Sequence, residues 1–321
     1  MVKRLAVALW LGAALSAPAA AFGTIDGLGQ HTEHEEITRA ALVRAGLDRE
    51  TLDSLAGRKG TFGAVGAPDR PDRGLLGEAA AHCDGGDHLD IAGYPQDAAT
   101  AARALEACKA WKLKALGDAV AAAGRIVPEG TRAIDDDQIP EYIGCVFDGS
   151  SGRAKCDVLE ALGLAFHVGQ DFYAHTNWSD AAAPDQGGPD NPPGLGHEGA
   201  APWIDPVAGP GGAYPGGLIS GCFEGIPESL HCTYGAGLDR VRHAVLNKDT
   251  GRIDRATGAA GPGETPRGAA HGNFERAVAA AIADTRNAFA HFEAETLRVY
   301  GPERGALILC AAKADDPDDC R

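Results

Sequence analysis

Basic side chains are scarce in this chain: 29 Lys and Arg stand against 45 Asp and Glu, a formal charge of −16. A protein that grips nucleic-acid phosphates needs a broad basic face, so this imbalance argues against that class and against a stable nucleic-acid complex. Beyond residue 21 no apolar run approaches the roughly 20 residues that a membrane-crossing helix requires. The signatures of several enzyme classes are also missing. There is no G-x-S-x-G elbow, Walker loop or H-E-x-x-H pattern. Gly194-Leu-Gly196-His-Glu-Gly199 matches G-x-G-x-x-G by letter, but it follows Asn-Pro-Pro where a strand is needed. Covalent serine hydrolysis, nucleotide chemistry and zincin proteolysis are thereby disfavoured.

What is present starts with 44% hydrophobic residues, enough for a sizeable core and too many for a disordered chain. The 321 residues correspond to one large domain or two modest ones, with no internal repeat and no clear linker. Residues 1–21 have the layout of a signal peptide. Lys3 and Arg4 precede an apolar stretch, Leu5 to Leu15, and Ala19-Ala20-Ala21 resembles a cleavage site. Cleavage there makes Phe22 the first residue of a single domain, 22–321, and lowers the charge to −18, with 27 basic residues left against 45 acidic. A secreted or periplasmic location follows.

Export passes the eight cysteines through an oxidising compartment, which favours disulfides. Sequential pairing would give four local loops, 83 with 108, 145 with 156, 222 with 232 and 310 with 320, but eight cysteines allow 105 pairings. A zinc–cysteine site is the rival, and no C-x₂-C pair supports it.

Helical periodicity dominates, and the class reads as all-α. Helices are expected over His34–Gly46, Asp97–Gly124, Cys156–Asn177, Gly237–Leu246 and Gly272–Tyr300. Long Gly- and Pro-rich loops separate them, about 181–217 and 258–268. The acidic tail Asp315–Asp319 reads as a solvated terminus.

The residues with chemical potential are grouped. In His167-Val-Gly-Gln-Asp171-Phe-Tyr-Ala-His175 three ligand-type side chains recur every four residues, along one face of a helix. Imidazole and carboxylate suit zinc and other first-row divalent metals, and an apolar approach, Leu162 to Phe166, turns this face towards a core. A buried stripe of this kind is costly unless something satisfies it. The plainer alternative is a hydrogen-bonded network. His271-Gly-Asn-Phe-Glu275 offers a second His and carboxylate four apart, equally readable as an ordinary helix start. In Ala81-His82-Cys-Asp84-Gly-Gly-Asp87-His88-Leu-Asp90 the acids fit a calcium loop or a turn, but not an EF-hand. Thr32 with Glu35 fits a capping box ahead of His34.

These residues resemble the secreted zinc-dependent phospholipases C and the related single-strand-specific zinc nucleases. The closest wording is that of the Het-C-like (heterokaryon-incompatibility) branch. Glu33-His34-Glu35-Glu36-Ile37-Thr38 resembles its EH-x-x-IT segment, and Phe166-His167 through Asn177 its H-x-x-x-DF-x-AH-x-N segment. The resemblance implies a multi-helix bundle of the phospholipase C type holding up to three Zn²⁺. It also implies a ligand set of Phe22 (by its free amine, where the family has Trp), His34, Asp69, His82, His167, Asp171, His175, His271 and Glu275. Asp69 would be the bridging ligand and general base, with Asp72 and His88 as alternates for Asp69 and His82. His197-Glu198 and His243 compete with the closing pair, because the segment 176–270 is much longer than the family's.

Hydrolysis of a phosphoester by a metal-activated water is then the implied activity. The acidic surface tilts the substrate towards a phospholipid headgroup and away from a nucleic-acid strand. The competing reading is a non-enzymatic Het-C-like protein whose metals and disulfides stabilise a binding scaffold. Oligomeric state is not legible.

Overall fold

The computed structural model describes residues 22–59, 61–140, 144–183, 185–207, 212–226, 228–234 and 238–321. The expected leader, 1–21, lies outside the described residues.

The chain is mostly helical. In order, the α-helices are α1 (Glu33–Leu42), α2 (Arg49–Ala56), α3 (Ala79–His82), α4 (Ala98–Ala123), α5 (Ala154–His175), α6 (Glu228–His231), α7 (His243–Leu246), α8 (Pro266–Ala269), α9 (Asn273–Tyr300) and α10 (Pro302–Lys313). Short strands form three antiparallel two-stranded ribbons: β1 (Asp26–Gly27) with β2 (Gln30–His31), β3 (Thr233–Tyr234) with β4 (Leu238–Asp239), and β5 (Gly251–Ile253) with β6 (Ala260–Gly263). No helix among the described residues is long and apolar enough to cross a membrane.

Helix α5 is the axis of the core. Val158, Leu159, Leu162, Phe166, Val168, Phe172 and Ala174 are buried on every side of it, the pattern of a helix enclosed by others. It packs against α4 and α9, while α1, α2 and the short helical turn at Ala67–Asp69 close it from the N-terminal half. Burying a side chain such as Phe166 or Phe172 contributes about 1.5–3 kcal/mol. Two glycines let neighbours approach closely. A Cβ at Gly163 would meet the Ala64 backbone at 2.4 Å, and one at Gly169 would meet Asp284 Oδ2 at 2.4 Å. That second gap admits a buried ion pair, Lys112 Nζ to Asp284 Oδ2 at 2.6 Å.

The long helices end where local chemistry stops them. Asp97 caps α4 by accepting from Thr100 N at 2.7 Å. Gly301, with φ 79°, ends α9, and Pro302 begins α10 with its ring at the first turn. Cysteines pair as Cys83–Cys108, Cys145–Cys156, Cys222–Cys232 and Cys310–Cys320. Four disulfides fit an extracellular protein.

Several expectations need correction. Only His243–Leu246 of the expected 237–246 helix is helical, because residues 238–239 pair with 233–234 as a ribbon. The 258–268 segment is not one loop: β6 and α8 occupy most of it. Thr32 does not build a capping box: its backbone is left-handed, at φ 59°, where a capping residue is extended, and its side chain makes no capping hydrogen bond. Glu33 instead accepts from His31 N and Gly251 N, both at 2.9 Å. The acidic tail is not merely solvated either. Asp315 accepts from Glu50 N at 2.9 Å and Thr51 N at 2.8 Å, capping α2 from across the fold.

Candidate metal centre

Helix α5 presents His167, Asp171 and His175 at intervals of four, and all three are fully enclosed. Asp171 is the hub. Its Oδ2 lies 3.0 Å from His167 Nε2 and 2.9 Å from His82 Nδ1, and its Oδ1 lies 3.3 Å from His34 Nε2. Asp69, on the helical turn at 67–69, places Oδ1 at 3.8 Å from His167 Nε2 and 3.9 Å from His82 Nδ1. Its Oδ2 is 4.0 Å from His34 Nε2.

One turn further along α5 a second group gathers around His175. Asp84 Oδ1 is 3.4 Å from its Nδ1, and Asp249 Oδ1 is 3.3 Å from its Nε2. His243, at the start of α7, stands edge-on to it with ring centroids 4.3 Å apart, and faces Asp249 Oδ2 at 3.9 Å and Glu228 Oε1 at 3.6 Å.

The ring nitrogens are sorted by their outer partners. His167 Nδ1 donates to Val65 O (3.0 Å), His82 Nε2 to Leu75 O (3.1 Å), His175 Nδ1 to His82 O (2.7 Å) and His34 Nδ1 to Gln170 Oε1 (2.7 Å). A carbonyl only accepts, so in each neutral ring the other nitrogen is an unprotonated lone pair turned inwards. This is the arrangement that orients metal-ligating histidines. Gln170 is itself fixed, its Nε2 donating to Thr38 Oγ1 (2.9 Å) and Thr285 Oγ1 (3.1 Å).

Six buried atoms of the centre have no hydrogen-bond partner: His34 Nε2, Asp84 Oδ1, Asp171 Oδ1, His175 Nε2, His243 Nδ1 and Asp249 Oδ1. Each such atom costs about 1–3 kcal/mol. Cations would satisfy them, and the oxygen and imidazole donors fit a divalent metal. Three groups have ligand atoms close enough to hold one: His34, His167 and Asp171; Asp69, His82 and His167; and Asp84, His175 and His243.

The electrostatics of the side chains alone tell the same story. Burial disfavours the His82 imidazolium, yet the hydrogen bond to Asp171 and the nearby carboxylates outweigh it and raise its pKa to about 9. Burial also works against the Asp171 carboxylate, but His167 and His175 hold its pKa well below the usual range. Negative charge at this centre calls for a cation, and protons supply it when a metal does not.

The expected ligands distribute as follows. The structure brings His34, Asp69, His82, His167, Asp171 and His175 together. Phe22 lies beside them, its ring edge-on to His34 at 5.9 Å, with Gly23 N donating to Asp249 O at 3.3 Å. His271 and Glu275 join none of the three groups. His271 is exposed at φ 54° just ahead of α9, a position that aims it outside the core. Their place near His175 is taken by Asp84, His243 and Asp249. Of the alternates, exposed Asp72 pairs with Arg70, His88 donates to Gln96 O at 2.7 Å, and the His197 ring lies tilted against Trp178 at 4.2 Å. Asp87 is engaged by Arg240, so the 82–90 segment is a turn in which, of its three aspartates, only Asp84 faces the centre. Asp249, Glu228 and Gln170 had no sequence signal beyond residue type.

No family model, no curated protein and no solved structure matches this chain.

Proposed function

We propose that the centre binds up to three Zn²⁺ and that the protein is a secreted, zinc-dependent phosphoesterase, similar to phospholipase C and the Het-C-like proteins. The observation that carries this reading is the sorted set of histidines. Four rings each spend one nitrogen on an outer carbonyl and turn the other onto shared carboxylates. In this reading His34 and Asp171, with the amine that leader cleavage would free on Phe22, hold one ion. Asp69, His82, His167 and Asp171 hold the second, and Asp84, His175, His243 and Asp249 the third. Bound ions supply charge stabilisation for a phosphoryl group and a more acidic water. Asp69, the one residue of this ligand set that is partly rather than fully buried, would orient that water. Ions held by these residues would offset the phosphate's charge without lysine or arginine, which suits an acidic protein and a phospholipid headgroup.

A second reading is supported by the burial of the centre. His34, His167, Asp171 and His175 are at most 1% exposed, and closed metal sites are usually structural. The protein would then be a non-enzymatic scaffold.

One preparation separates the two. Elemental analysis of the N-terminally processed protein is followed by assays on phosphatidylcholine and on single-stranded nucleic acid. Two or three zinc ions per chain with turnover support the enzyme. Zinc without turnover on either substrate leaves the scaffold, and a metal-free protein from zinc-replete buffer sinks both.

A further inference from the structure

Asp69 reaches the centre from a short helical turn, and a carboxylate in such a place can swivel about its last bond. The structure shows what restrains it. Thr24 Oγ1 donates to Asp69 Oδ2 at 2.8 Å, a charge-assisted bond from a side chain only 5% exposed. With Oδ2 held there, Oδ1 is the oxygen facing both His82 and His167.

Thr24 is itself held on three sides. Its backbone N–H donates to Gln30 Oε1 at 3.1 Å, and the next amide, of Ile25, shares the same oxygen at 3.2 Å. Its methyl fills the space over Gly66, where a Cβ would lie 2.3 Å from Thr24 Cγ2. Gly66 O in turn accepts from Asp69 N at 3.2 Å. A β-branched residue has few rotamers, so methyl and hydroxyl directions are fixed together. The methyl keys onto the turn that carries Asp69, and the hydroxyl sets its carboxylate.

We propose that Thr24 is a positioning residue: its hydroxyl holds Asp69 with one oxygen presented to the His82–His167 pair, so the N-terminal segment sets the geometry of that metal position. This inference rests on the metal reading given above and adds a residue that ligates nothing itself.

The test compares Thr24→Val, which keeps the shape and loses the hydroxyl, with Thr24→Ser, which keeps the hydroxyl and loses the methyl. Zn²⁺ affinity is measured by chelator competition and ligand geometry by the visible absorption of the Co²⁺-loaded protein, both on the processed full chain. Loss of an outer-sphere partner typically weakens metal binding about ten- to a hundredfold. That loss is expected for Thr24→Val at one ion, with an altered Co²⁺ band, while Thr24→Ser stays within about twofold of wild type. Wild-type affinity and spectrum in Thr24→Val overturn the proposal, as does a Thr24→Ser variant as weak as Thr24→Val, which would show that the hydroxyl does not by itself hold Asp69. If Thr24→Val does not fold, Thr24→Ala against Thr24→Ser gives the same hydroxyl contrast. A wild-type protein that takes up neither metal defeats the metal reading itself, and this inference with it.

Discussion

His82 Nδ1 and His167 Nε2 lie 3.1 Å apart, and each ring has already spent its other nitrogen on a backbone carbonyl. Two lone pairs at that distance repel unless a proton or a metal lies between them. Asp171 Oδ2 faces both at about hydrogen-bond distance, which adds negative charge to the same spot. The core therefore carries an electrostatic strain that a cation removes, and stability should depend on that cation.

Removing metal is expected to destabilise the fold measurably. A ligand at a hundred times its Kd stabilises the native state by about 2.7 kcal/mol. In a chain of this size each kcal/mol moves Tm by roughly 2–4 °C. Calorimetry of zinc-loaded protein against protein dialysed with a chelator should show a fall of about 5–10 °C, reversed by Zn²⁺. Identical melting curves would mean that protons alone satisfy the centre.

Asp171→Asn keeps the shape of the hub while removing its charge, and it should lower the metal content of the purified protein by at least one ion per chain. Glu275→Gln and His271→Ala should leave the content unchanged, because neither residue joins a ligand group. Elemental analysis of the three variants side by side checks which of these residues ligate. Metal loss in Glu275→Gln equal to that in Asp171→Asn would return the closing pair to the site.

The reasons for success and failure in reading the sequence are physical. The α5 stripe was legible because a period of four within one apolar helix encodes a face with no help from the rest of the chain. His34 and His82 required the resemblance, since nothing local distinguishes them from ordinary histidines. Asp84 was hidden by the left-handed turn at Cys83 (φ 58°), which sends His82 and Asp84 to different groups although they are two residues apart. His271 and Glu275 have the right spacing, yet φ 54° at His271 breaks the helical register on which that spacing depends. The capping of α2 by Asp315 joins residues 264 or more apart, a relation that only the packed fold creates. The boundaries of α4 and α9, set by Asp97 and Gly301, were local and correspondingly readable, whereas α10, beyond Pro302, was not anticipated.

The Lys112–Asp284 pair lies under α5, both partners within 1% of full side-chain burial. Breaking such a pair by one side leaves an uncompensated charge and typically costs about 3–5 kcal/mol. Lys112→Met should fall in that range by chemical denaturation. The double variant Lys112→Met/Asp284→Leu should recover much of the loss, since matched apolar replacements of buried pairs are often neutral. Gly169→Ala should cost stability in the wild type through its clash with Asp284 Oδ2, and less in the double variant only if the leucine can turn away. Additive losses across the pair would mean that the two charges do not depend on each other.

The disulfide between Cys83 and Cys108 is placed to do more than shorten the unfolded chain. Cys83 is the residue between His82 and Asp84, and its left-handed conformation is one that a non-glycine side chain adopts only under constraint. The bond to Cys108 ties that turn to α4, so both flanking ligands inherit its position. On chain entropy alone a loop closed over 25 residues contributes about 3–4 kcal/mol and one closed over 10 residues, as at Cys310–Cys320, about 3 kcal/mol. The two disulfides are thus near equals as staples, and their metal effects separate them. Replacing Cys83 and Cys108 by alanine should weaken Zn²⁺ binding by about an order of magnitude or more, as for other supports of metal ligands. Replacing Cys310 and Cys320 should lower Tm by a comparable amount while leaving Zn²⁺ affinity unchanged. Chelator competition and calorimetry on both variants decide the matter: equal metal affinities in the two would reduce Cys83–Cys108 to a staple.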